Sequence, residues 1–244
     1  SPTLLKVRKV PFGASYGYVT VTANGLTASS PLPFSAIFPS SEIIDQESYD
    51  APVNFLSGGI PEDVVVGDLD NDGRPDMAVV NLDSNHISIF RNMTIPTSIS
   101  PGSFTAGIDL PTLATPSNLA IGDLNGDGKL DLVVVCNGAA VISVYQNTTE
   151  NSFISFSPGF SYAAGNDPRG VAIGDLDQDG RQDIAVTDAG SGFISVFRNV
   201  RDAVDLGTDS FADKVNYLVG SIPLSIAIGD ITGDRISDLV VANS

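Results

Sequence analysis

The chain has 244 residues, with 12 Lys and Arg against 29 Asp and Glu, a formal net charge of −17, one His and one Cys. This balance excludes a nucleic-acid surface, which needs a basic stripe. The lone cysteine excludes an internal disulfide. The longest apolar runs are only a few residues, so no segment approaches the roughly 20 needed to cross a bilayer as a helix.

Residues 1–39 read as three strands within VRKVPFGASYGYVTVTANGLTASSPLPFSAIF. The segments YVTVT and LTASSPLPF are separated by Ala23-Asn24-Gly25, a hairpin signal of the Asn-Gly type. Residues 40–48 form a polar, acidic connector. From residue 49 onward the composition changes to apolar runs broken by Asp-rich loops.

Four of these loops share one register. They read DLDNDGRPD from Asp68 to Asp76, DLNGDGKLD from Asp123 to Asp131, DLDQDGRQD from Asp175 to Asp183 and DITGDRISD from Asp230 to Asp238. Oxygen donors at alternate positions suit calcium, which takes six to eight oxygen ligands at about 2.3–2.6 Å. Positions 1, 3, 5 and 9 supply side chains: Asp68, Asp70, Asp72, Asp76; Asp123, Asn125, Asp127, Asp131; Asp175, Asp177, Asp179, Asp183; and Asp230, Thr232, Asp234, Asp238. Position 7 supplies a backbone carbonyl, from Arg74, Lys129, Arg181 and Ile236, so its side-chain type is unconstrained. Gly73, Gly128 and Gly180 stand at position 6, where a sharp turn favours positive φ. The expectation is three calcium sites of differing ligand quality. A fourth is weaker, because Thr232 replaces a carboxylate and Arg235 replaces the glycine.

The EF-hand shares the D-x-D-x-D-G opening but needs a bidentate Glu at position 12 and flanking helices. Position 12 here is Val79, Val134, Val186 and Val241, and the flanks are β-branched. The loops therefore join strands.

The loops start 55, 52 and 55 residues apart. Tyr49, Phe104, Phe156 and Phe211 each precede the Gly of a Gly-Asp pair by 18 residues. HISIFRN, VISVYQN and FISVFRN follow the first three loops. The period predicts units of four strands: an aromatic-led strand, a strand into the loop, a strand out and the I-S-[IV]-[FY] strand. That is the signature of β-propeller blades. The units run 49–103, 104–155 and 156–210, and a fourth stops after its second strand. The fold class is all-β: three full blades and one partial blade, preceded by a partial immunoglobulin-like sandwich. A seven-bladed ring of which this is a part is expected over a closed four-bladed one.

The segment GDLDNDGRPDMAVVN, with its aromatic lead, resembles the FG-GAP or VCBS repeat of integrin α-subunit heads and many secreted bacterial proteins, over residues 49–244. The resemblance implies a calcium ion in the hairpin between two strands of each blade. The integrin Gly-Ala-Pro sequence is absent, so integrin-type ligand binding does not carry over. Residues 1–39 resemble the C-terminal part of an IPT/TIG domain.

The remaining chemistry is sparse. His86 stands where the sister units have Val141 and Phe193 and reads as a strand-edge residue; Cys136 reads as a small strand residue. With one histidine, no Ser–His–Asp or Cys–His pairing has internal support. Glu62, Asp167 and Asp188 are carboxylates outside the loops that could face each other as a glycosidase pair. Asn92-Met-Thr94 and Asn147-Thr-Thr149 are glycosylation sequons at equivalent positions.

No catalytic residue is expected. The expectation is a calcium-stabilised extracellular structural or adhesion module, part of a larger surface protein or filament subunit. Its partner would be a protein or glycan surface or another copy of itself, with no nucleic acid and no membrane insertion. Alternatives are a lectin-like propeller and an accessory domain of a secreted polysaccharide-degrading enzyme.

Overall fold

The β-branched runs flanking each acidic loop are strands. The computed structural model describes residues 20–23, 26–29, 52–93, 99–105, 107–201 and 205–244. The chain divides into two units, Ser1–Pro52 and Val53–Ser244. In the first, β1 (Thr20–Ala23) and β2 (Leu26–Ser29) pair antiparallel, the hairpin that the Asn-Gly signal predicts, but Ala23 ends β1 opposite Leu26 rather than lying between the strands. The rest of the IPT/TIG reading and the 40–48 connector lie outside the described residues.

The second unit holds three four-stranded antiparallel sheets and a two-stranded one. The first comprises β3 (Pro61–Gly67), β4 (Asp76–Asn81), β5 (His86–Phe90) and β6 (Ile108–Pro111). The second comprises β7 (Pro116–Gly122), β8 (Asp131–Cys136), β9 (Val141–Tyr145) and β10 (Phe160–Ala163). The third comprises β11 (Pro168–Gly174), β12 (Asp183–Asp188), β13 (Phe193–Phe197) and β14 (Val215–Leu218). The last comprises β15 (Pro223–Gly229) and β16 (Asp238–Asn243). Within each sheet the spatial order follows chain order, and the first strands of successive sheets lie against one another. These are blades of a β-propeller-like fold. The only helical segment among the described residues is a short 3₁₀ turn, Asn137–Ala139, and none is long or apolar enough to cross a membrane.

The second strands of the middle sheets, β8 and β12, are covered on both faces, which is why they read as continuous apolar runs rather than alternating ones. On β8, Leu132, Val134 and Cys136 face a core shared with the first sheet, around Val80, Ile87 and Ile89. Val133 and Val135 face a core shared with the third sheet, around Ile184, Val186 and Phe197. Each fully buried Val or Leu contributes about 1.5–3 kcal/mol.

The phase of the repeat differs from the sequence expectation. The strand after each aromatic belongs to the preceding sheet: β6 pairs with β5, β10 with β9 and β14 with β13. The aromatics themselves, Phe104, Phe156 and Phe211, form isolated antiparallel bridges to Asn92, Asn147 and Asn199, just past the third strand. The chain therefore folds back on the strand it has just left, the local antiparallel solution. It crosses to the next sheet only afterwards, through residues before Pro116, Pro168 and Pro223. Thr115, Asp167 and Ile222 turn these corners at φ 56°, 53° and 48°. The blades are accordingly 61–111, 116–163, 168–218 and the partial 223–243. The strand expected at 49–56 does not form over residues 52–57. Its repeat equivalents each pair with a third strand, and no described strand takes that place beside it.

Candidate metal centre

Every acidic loop connects the first and second strands of its sheet, so all four occupy the same end of their blades. The position-1 aspartate organises each turn by accepting backbone N–H groups. Asp68 accepts from Asp72 and Gly73 at 3.0 and 2.8 Å. Asp123 accepts from Asp127 and Gly128 at 3.1 and 2.9 Å. Asp175 accepts from Gly180 at 3.0 Å, and Asp230 from Asp234 and Arg235 at 3.1 and 2.8 Å. Position 6 is left-handed as expected, with Gly73, Gly128 and Gly180 at φ 84°, 81° and 86°. Position 4 is left-handed too, at Asn71, Gly126, Gln178 and Gly233, with φ of 56°, 75°, 64° and 79°.

The position-9 aspartate does more than the sequence reading assigned to it. It opens the second strand and is 0%, 0% and 1% exposed at Asp76, Asp131 and Asp183. Asp76 receives the N–H of Leu69 at 2.9 Å and of Asn92 at 2.7 Å. Asp131 receives Leu124 and Asn147, and Asp183 receives Leu176 and Asn199, at 2.8–3.0 Å. Each carboxylate thus braces its loop against the end of the third strand. Burial raises the pKa of Asp76 and Asp183 and carries Asp131 up to about 7, with Asp127 and Asp123 repelling its charge.

The structure brings positions 1, 3 and 9 together in two loops. Carboxylate oxygens of Asp68, Asp70 and Asp76 lie within 4.8 Å of one another, as do those of Asp175, Asp177 and Asp183. The second loop places Asp123, Asn125 and Asp131 in the same register, Asn125 accepting the Asp127 N–H at 3.2 Å as Asp70 accepts that of Asp72. In the fourth loop Asp238 receives Ile231 and Thr232 at 2.9 and 3.2 Å, and Asp230, Thr232, Asp234 and Ile236 are exposed.

Positions 5 and 7 are coupled. Arg74 pairs with Asp72 and Arg181 with Asp179, and each Nε donates to the carbonyl of Asn92 or Asn199 at 3.1 Å. Position 7 was expected to offer only its carbonyl. In these two loops its guanidinium also ties the turn to the third strand. Burial raises the pKa of Asp72, but the hydrogen bonds and charge of Arg74, with Arg91 adding to them, hold it below the usual range.

An all-oxygen, carboxylate-rich donor set fits a hard cation such as calcium. Two observations strengthen the fit. Asp175 Oδ1 is buried with no hydrogen-bond partner. Burial, with the neighbouring loop aspartates repelling their charge, holds the position-9 carboxylates above their ordinary range, and a cation would offset both effects.

Sequence reasoning missed the amides that follow the third strands. Asn147 is fully buried, and its Nδ2 donates to Leu130 at 3.0 Å and across to Leu69 of the preceding sheet at 2.9 Å. Asn199 does the same to Gln182 and Leu124 at 3.1 and 2.7 Å. These side chains link the loop of one blade to the next. Asn147 therefore has no free amide for a glycan in the fold, and the sequon disguises an inter-blade clamp. The signal that could have found it is the recurrence of Asn92, Asn147 and Asn199 at one position of the repeat, with or without the sequon threonine.

The other singled-out residues fall into place as structure. His86 begins β5, with Nε2 3.4 Å from Asp109. Cys136 ends β8 within the apolar core, and burial pushes its thiol pKa up. Asp188 is 1% exposed and bonded to Ser195 Oγ and the Gly165 N–H at 2.5 and 2.8 Å. Asp167 accepts from Asn137 at 2.5 Å, and Glu62 is exposed on β3.

Fold and loops together define a β-propeller-like module with acidic turns at one end of each blade. FG-GAP-like repeats match residues 68–134 and again residues 123–186. Each match runs from the acidic loop of one sheet to the second strand of the next, so the repeat unit spans the inter-blade contact. No curated protein matches the chain.

Proposed function

We propose that the chain is a calcium-stabilised, non-catalytic extracellular module that displays its blades to a protein or glycan surface or to another copy of itself. The reading rests on one observation: acidic loops in common register converge carboxylate oxygens within 4.8 Å, at Asp68, Asp70 and Asp76 and at Asp175, Asp177 and Asp183. Asp72, Asp179 and the carbonyls of Arg74 and Arg181 complete those two donor sets. Asp123, Asn125, Asp127, Asp131 and the Lys129 carbonyl form the third. Asp230, Thr232, Asp234, Asp238 and the Ile236 carbonyl form a weaker fourth. When bound, the cation neutralises crowded carboxylates. The chain's own residues preorganise each turn through the position-1 and position-9 aspartates. Carboxylate-rich loops on an otherwise unremarkable β scaffold suit the millimolar calcium found outside cells. Isothermal titration of calcium into chelated, dialysed protein tests this: at least three sites should fill, and absence of binding, or selectivity for a transition metal, would refute it.

A further inference from the structure

The residue immediately after each complete blade's third strand varies in step with loop position 3. Asp70 is matched by Arg91, Asn125 by Gln146 and Asp177 by Arg198. Where position 3 is a carboxylate, the companion is a guanidinium; where it is an amide, the companion is an amide. In the first and third blades the companions are spatial as well as sequential. Arg91 Nε lies 2.5 Å from Asp70 Oδ2, and its Nη2 lies 3.1 Å from Asp72. Asp70's side chain is wholly buried, and that of Arg91 is 22% exposed. Arg198 lies 3.8 Å from Asp177 in a more open pair.

The match equalises charge. Position 7 is basic in all three loops, through Arg74, Lys129 and Arg181. With the carboxylates ionised, loops one and three set four acids against two cations. Loop two sets three acids against one. Each loop is left at −2, the complement of one divalent cation.

We propose that Arg91 and Arg198 are charge-matching, positioning residues that hold the position-3 carboxylate and set how tightly each loop takes calcium. The inference rests on the calcium reading above. It changes one expectation: the four-aspartate loops do not outbind the three-aspartate loop in proportion to their carboxylates, because the extra carboxylate carries its own counterion. Arg91 must yield part of its hold on Asp70 when a cation arrives, and its charge opposes that cation across a partly buried gap.

Calcium titration of the whole chain, followed by the backbone amide resonances of Gly73, Gly128 and Gly180, reads the three loops separately. In Arg91→Gln the Gly73 midpoint should fall to about tenfold lower calcium, with Gly128 unmoved. Asp70→Asn/Arg91→Gln, which copies the second loop, should bring Gly73 back toward the Gly128 midpoint. Arg198→Gln should lower the Gly180 midpoint by a smaller factor; this exposed pair keeps the test open if Arg91→Gln fails to fold. A merely structural role for the arginines predicts unchanged or weaker binding, and either result overturns the proposal. If none of the three glycines responds to calcium in the unmodified chain, the calcium reading itself falls.

Discussion

Arg235 carries the plainest local cost in the chain. It holds φ 71° at loop position 6, where the other three loops place glycine. A side chain in this region costs about 1–2 kcal/mol. Nothing stands within 4 Å of a Cβ built on Gly73, Gly128 or Gly180, so the cost at this position is conformational rather than steric. Arg235→Gly is therefore expected to stabilise the protein by about 1 kcal/mol, part of the gain being lost to the freer unfolded chain. Urea denaturation reads this, and a loss of stability would reveal a compensating contact of the arginine. Position 6 was legible in the sequence because glycine marks it. Position 4 was not, because Asn71 and Gln178 carry the same left-handed turn without the marker. The Asn147 and Asn199 clamps stayed hidden for a different reason: their partners are carbonyls more than 70 residues away, which no local pattern encodes.

At the scale of strands, β-branched runs and loop spacing predicted the elements well. Period alone could not say where one blade ends, since a repeat read from any starting point has the same length. The aromatic was a conspicuous marker, but its bridge to the preceding asparagine assigns it, and the strand after it, to the earlier sheet. The same strands impose a pH dependence. Asp131 opens β8 in a buried position and titrates near 7 when no cation is bound, against an ordinary value of 3.8. Because the folded pKa is raised, the folded state holds a proton that the unfolded chain has released. Its contribution is complete below pH ~4 and lost as pH rises through ~7. Asp76 and Asp183 act in the same direction. Chelated, dialysed protein should melt at a lower temperature at pH 8 than at pH 5. Asp131→Asn should flatten part of that slope. A melting point that climbs with pH would contradict the assignment.

The whole molecule sets a net charge of −17 against a core built from thin, stacked sheets. Fourteen of its 29 acidic residues lie in the four loops, so repulsion is concentrated where neighbouring blades meet. The second strands of the second and third sheets, β8 and β12, are buried along their whole length, whereas Val64 and Val66 on β3 and Val240 on β16 are 53%, 58% and 45% exposed. The outer sheets thus draw less from apolar burial and depend more on their turns. Calcium at three loops would relieve the repulsion and brace the turns together. Binding to the folded state alone adds about 2.7 kcal/mol per site at a hundredfold excess over Kd. Differential scanning calorimetry of the 244-residue chain at neutral pH, with millimolar calcium and again after chelation, tests this most directly. A clearly higher melting temperature with calcium, reversed by chelator and restored by calcium, is the predicted result; an identical melting temperature in both conditions would contradict the claim that these loops are calcium sites holding the blades.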